Sequence, residues 1–190
     1  MNHALRLRGY LILLATIVAP VIGYIAYRQE HCRSLRSTAF EAFSRQEWSY
    51  AAHQFEKYLQ CDPEDQQALH LCVQSYYEAK NGLQTHSWID RTKLTFPDDP
   101  VPDYWRGVLL IEEQQNFAKA LPLLESVRFM VEHQYPKVNL YIGIALTKSG
   151  DILAGCANLQ YYLNSPQEDD NDIHRVATDT YRSICTDITP

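Results

Sequence analysis

Two patterns of apolar and polar positions divide the chain. From Tyr10 to Tyr27 it reads Y-L-I-L-L-A-T-I-V-A-P-V-I-G-Y-I-A-Y, 18 residues without a charge. As a helix rising about 1.5 Å per residue this stretch reaches roughly 27 Å, near the hydrocarbon thickness of a bilayer. Arg6 and Arg8 flank one end, Arg28, Arg33 and Arg36 the other, and Tyr10, Tyr24 and Tyr27 stand where amphipathic rings favour the headgroup zone. Pro20 is tolerated inside a membrane helix. The pattern predicts a tail over 1–9 and a transmembrane helix over 10–27. A cleaved signal peptide fits less well, because Tyr24 stands where a small residue is required, and a buried core helix would show a polar face.

Beyond Arg36 the apolar positions recur with a fixed period. Trp48, Phe117 and Ile152 each precede a small residue by three, at Ala51, Ala120 and Gly155, and each small residue is followed four later by Phe55, Leu124 and Leu159. Trp48 to Phe117 is 69 residues, about two units of the 35 that separate Phe117 from Ile152, and Pro63 to Pro97 is 34. Apolar residues at i, i+3 and i+4 predict helices throughout, and an irregular helical bundle shows the same spacing without a constant period. A period near 34 is that of stacked helix-turn-helix repeats.

These residues resemble the tetratricopeptide repeat family, over about 135 residues. The units read as 32–65, 66–99, 101–135 and 136–169. The first, with Ala39 at the small position of its first helix, E-W-S-Y-A-A-H-Q-F-E-K-Y-L-Q in its second and Pro63 at its close, is most similar. The second departs most, with Thr85 in place of the expected alanine; the third lacks a closing proline; the fourth carries Gly143 and a Gly150-Asp151 turn. The resemblance implies an all-α, right-handed solenoid of about four repeats. Ile173, Val176, Thr180 and Ile184 predict an apolar stripe on a capping helix over about 172–186, within a terminal segment 170–190, after an acidic loop from Gln167 to Asp172.

Charge narrows the partners. The whole chain of 190 residues carries a formal −6, and the part beyond Tyr27 holds 15 basic and 23 acidic residues, a formal −8. With no long basic run, nucleic acid is not an expected partner. Five cysteines at 32, 61, 72, 156 and 185 have no C-x-x-C spacing, which disfavours a disulfide-framed module while leaving room for one bridge. No phosphate-cradling glycine loop, H-E-x-x-H, G-x-S-x-G or paired zinc motif occurs, so the expectation is a non-enzymatic protein without a cofactor or small-molecule substrate. Cys61, His70 and Cys72 are the nearest approach to a metal set, but one H-x-C pair without a fourth ligand does not make one. Lipidation of Cys32 is set aside in favour of an unmodified thiol.

In the family, first helices line a concave groove that grips an extended or helical segment of a partner protein. The matching residues are Arg36, Phe40 and Phe43, then His70, Gln74 and Tyr77, then Trp105, Arg106 and Leu109, and finally Leu140, Tyr141 and Ile144. Phe40 and Gln74 stand where the family's carboxylate clamp needs Asn, so a partner segment with apolar or aromatic anchors is expected instead. Against this stands the reading that several of these side chains cover the array's own core. The sequence thus predicts a membrane-tethered adaptor or scaffold assisting export, envelope assembly or assembly of a membrane complex. Two arginines before the apolar stretch and three after leave its orientation nearly balanced. A bacterial inner membrane with the repeats outside the cytoplasm is favoured; a cytosol-facing organelle receptor and a purely structural subunit stay open.

Overall fold

A computed structural model of the chain describes the backbone of residues 2–165 and 171–185, with side chains over 18–165 and 173–185. All regular structure among the described residues is helical. The helices are α1 (Asn2–Ser44), α2 (Trp48–Tyr58), α3 (Gln66–Glu78), α4 (Gly82–Thr95), α5 (Val101–Glu112), α6 (Phe117–Val131), α7 (Val138–Lys148), α8 (Ile152–Asn164) and α9 (Asn171–Cys185).

The repeat is written into the backbone at the turns. Gln46, Lys80, Gln115 and Gly150 all have positive φ, at intervals of 34, 35 and 35 residues, and each lies just past a first helix of a pair. In three of the turns the following amide reaches back five residues: Glu47 N–H donates to the Ala42 carbonyl, Asn81 to Tyr76 and Asp151 to Leu146, which satisfies carbonyls that a helix end leaves open. The next helix is then capped by Asn81, Asn116 or Asp151, whose side-chain oxygen accepts from Gln84, Lys119 or Ala154 N–H respectively.

The chain forms two compact units, Met1–Trp88 and Ile89–Pro190. In the first, α1 packs on α2 and α2 on α3. Ala39, Ala51 and Ala52 are fully buried, and their small side chains let the helices approach while Phe55 and Leu69 fill the space between. Phe40 and Phe43 meet the Phe55 ring edge-on at 5.4 and 6.3 Å, and Phe43 meets Trp48 at 5.3 Å. Thr85, fully buried in place of alanine, donates its hydroxyl to the Asn81 carbonyl one turn earlier, so its polar atom is satisfied within its own helix.

In the second unit successive helices from α5 to α9 pack in order. Gly107 leaves room for Leu124, whose carbons lie 2.6 Å from where a Cβ would stand, and Gly143 and Gly155 each approach the other's carbonyl, letting α7 and α8 cross closely. The terminal helix is one residue out of phase with the expected stripe. Ala177 and Cys185 are buried and Ile173, Tyr181 and Ile184 pack on the same cluster, whereas Val176 is 51% exposed. A period of 3.6 carries the contact through 173, 177, 181 and 184–185 and past 176. Most of the expected acidic loop, and the chain beyond 185, lie outside the described residues.

The apolar stretch is not a separate element. It belongs to α1, which passes through Pro20 and continues through Arg28, Glu30, Arg33 and Arg36 into the first pair. Among the described residues no helix is long and apolar enough to cross a membrane. The expected single-pass membrane placement, in either orientation, is corrected accordingly.

Candidate functional site

The groove candidates divide by burial. In the first unit Arg36 is exposed, Phe40, Phe43, Gln74 and Tyr77 are half-buried, and His70 is buried. The Arg36 guanidinium lies 4.5 Å above the Phe40 ring, and Lys80 Nζ lies 4.9 Å from the Tyr77 ring. In the second unit Trp105, Leu109, Leu140 and Tyr141 are buried, while Arg106 and Ile144 are half-buried. Trp105 is held edge-on to Tyr104 and Tyr135 at 5.1 and 5.6 Å, and the Tyr141 hydroxyl donates to Glu112 Oε1 at 2.7 Å. Arg106 bridges Asp90 and Asp103 at 2.8 and 3.3 Å. The side chains that face solvent at least in part are therefore Arg36, Phe40, Phe43, Gln74, Tyr77, Arg106 and Ile144.

A second feature of the first unit escaped the sequence reading. Between α1 and the end of α2 lies a cleft of about 640 Å³, lined by Tyr24, Ile25, Arg28 and Arg36 from α1 and by Tyr58 and Asp62 from the end of α2 and the residues after it. Its wall includes a disulfide between Cys32 and Cys61. A second disulfide joins Cys156 on α8 to Cys185 on α9, so two bridges exist where the sequence left room for one. Both pairs are 29 residues apart, an interval visible in the sequence, yet five cysteines admit many pairings and spacing alone does not choose among them. Cys61 is consequently not a candidate ligand beside His70, and Cys72 is a buried thiol outside both disulfides. No group of three or more potential ligands is placed to hold a metal among the described residues.

Beside the disulfide a charged network ties α1 to the start of α3. Asp65 accepts from Arg36 Nε at 3.3 Å, from the Tyr58 hydroxyl at 2.8 Å and, as N-cap, from Ala68 N–H at 3.0 Å. Burial pushes the Asp65 carboxyl up, but the Ala68, Tyr58 and Arg36 bonds outweigh it and hold the group below its ordinary range. Burial and the bond to Asp65 push the Tyr58 hydroxyl up to about 12. In the second unit burial likewise raises Tyr135.

No protein-family model matches the sequence, and no curated protein matches it. Solved structures do. PilW, described as a widely conserved type IV pilus biogenesis factor, superposes with a TM-score of 0.57 at 20% identity over 70% of this chain. The chain spans 60% of the length of that PilW structure. MamA from Desulfovibrio magneticus RS-1 superposes with a TM-score of 0.56 at 16% identity, covering 80% of this chain and 92% of MamA. A double mutant, MamA RS-1 ArsTM, superposes at 0.58 with the same identity and coverage. At these identities the likeness speaks to fold, and the fold is of the tetratricopeptide type.

Proposed function

We propose that the chain is a non-enzymatic scaffold or adaptor that binds segments of partner proteins through the first helices of its pairs. The observation that carries this reading is the tetratricopeptide-type arrangement of the helices, common to PilW and MamA. The name of PilW, a pilus biogenesis factor, supports a role in building an assembly. The proposed repeat units are 32–65, 66–99, 101–135 and 136–169, with a terminal segment over 170–190.

Within the candidate set, binding falls to the side chains that present surface. Tyr77 and Gln74 on α3 offer a ring and an amide in the first unit; Arg106 and Ile144 offer a cation and an aliphatic anchor in the second. Rings and arginines carry a large share of the affinity at such interfaces: rings bury much area at little entropic cost, and arginine adds several hydrogen-bond donors on a planar group. Trp105, Leu109, Leu140 and Tyr141 serve the surface of the second unit from beneath by fixing the helices that display Arg106 and Ile144.

Photo-crosslinking in cells tests this reading. Photoreactive residues at Tyr77 and at Arg106 should each trap a discrete partner protein, and one at the exposed Leu94 on α4 should not. Trapping that is equal at all three positions, or absent from both candidates, refutes the assignment.

A further inference from the structure

The two disulfides close loops of equal length, but only one joins two half-buried cysteines; in the other Cys156 is half-buried and its partner Cys185 is buried. Cys185 is 3% exposed and lies among Leu140, Leu159, Tyr162 and Ala177. Cys32 and Cys61 are each half-buried and line the open cleft of the first unit. Arg28 and Arg36 stand one turn before and one turn after Cys32 on α1, and both line the same cleft, so Cys32 lies between two arginines on one helix face. Asp65 engages Arg36, whereas Arg28 has no acidic partner among the described residues. The acids nearby are Asp62, which accepts from the Tyr58 hydroxyl, Asp65, and Glu30, which is paired with Arg33, itself a third arginine of the cleft lining.

We propose that Cys32–Cys61 is an exchange-active disulfide, a site of attack for an external thiolate, while Cys156–Cys185 is a closed structural bond. The incoming thiolate attacks Cys61 Sγ. The Sγ–Sγ bond breaks and its electron pair leaves with Cys32 as a thiolate, so that a mixed disulfide remains on Cys61. A second thiolate attacks the external sulfur of that mixed disulfide and releases Cys61. The sum is two thiols oxidised to one disulfide and one protein disulfide reduced to two thiols, with the two protons ending on Cys32 and Cys61. Arg28 acts twice: it draws the anionic attacker and stabilises the departing Cys32 thiolate, and a better leaving thiolate departs faster. Closure is the reverse, with a disulfide of the same class as oxidant. The reactant is a thiol, either a small one such as glutathione or the reactive cysteine of a protein dithiol.

The test uses the whole oxidised chain. It is exposed to reduced glutathione in one arm and to a thioredoxin-type dithiol protein in the other, quenched with an alkylating reagent at intervals, and mapped by peptide mass. Cys32–Cys61 should open at least roughly tenfold faster than Cys156–Cys185 in one arm or both, and the faster arm identifies the source of the thiol. The glutathione adduct should sit on Cys61. Equal rates for the two bonds in both arms, or earlier opening of Cys156–Cys185, overturn the proposal, and an adduct on Cys32 overturns the assigned direction. Arg28→Gln should slow opening of Cys32–Cys61 by about three- to tenfold, Arg28→Lys should restore it, and neither should move the Cys156–Cys185 rate, which rises if a variant unfolds. Wild-type rates for Arg28→Gln overturn the role given to Arg28.

Discussion

The first helical hairpin, α1–α2, and the last, α8–α9, are closed by disulfides of the same 29-residue separation, yet little else about them matches. The first is packed with rings, Phe40, Phe43, Trp48 and Phe55, and fenced by Arg36, Asp65 and Tyr58. The last is held by a cluster of aliphatic side chains with Tyr162 and Tyr181, formed around Leu159 against a single stripe of α9. Equal loops restrict the unfolded chain equally, by roughly 3–4 kcal/mol each in the chain-entropy model. What differs between the two ends therefore comes from their surroundings.

The largest test removes the central side chain of each hairpin. Phe55 and Leu159 are both fully buried and occupy corresponding repeat positions. Phe55→Ala should cost about 3–5 kcal/mol and Leu159→Ala about 2–5, with Phe55 the greater because it also loses two edge-on ring pairs. Urea unfolding of both variants checks the order; a greater loss from Leu159→Ala would show that the rings do not dominate the first hairpin.

Next in size is loss of the terminal bond. Cys156→Ser with Cys185→Ser should cost roughly 3–4 kcal/mol and release α9, read as lost amide-exchange protection over 171–185. Cys32→Ser with Cys61→Ser removes an equal loop constraint, but the ring cluster and the Asp65 bonds remain, so amides of α2 should keep most of their protection. Equal local loss at both ends would erase the contrast.

The two hairpins also differ in how far the sequence exposes them. The repeat period is legible because small residues must recur wherever helices cross, as Ala51, Ala120 and Gly155 do. The turn is legible only at Gly150-Asp151. At Gln46, Lys80 and Gln115 the same left-handed turn is made by residues that carry a Cβ penalty, which the bonds of the surrounding turn outweigh, so no local signal marks them. Which groove candidates face solvent was hidden for another reason. Trp105 is covered by Tyr135, a residue between α6 and α7 whose position depends on how those helices pack. The pairing of Cys32 with Cys61 lies equally beyond periodicity, since it needs the fold that brings α1 beside the end of α2.

The smallest expected effect belongs to Asp65, which has three jobs at the first hairpin: helix cap, acceptor for Tyr58 and partner of Arg36. Asp65→Ala should cost about 1–2 kcal/mol, whereas Asp65→Asn keeps a capping oxygen and should cost under about 1 kcal/mol. The native carboxyl titrates below its ordinary value of 3.8. The folded state therefore prefers the ionised form, and its contribution is present above about pH 4 and lost as pH falls through the lower native value. The stability gap between wild type and Asp65→Asn should accordingly be widest near neutrality and shrink below pH 4, read by urea unfolding across that range. A gap that stays constant with pH would mean that the charge on Asp65 contributes nothing and that the cap alone accounts for the residue. The first hairpin would then lose the electrostatic feature that sets it apart from the last.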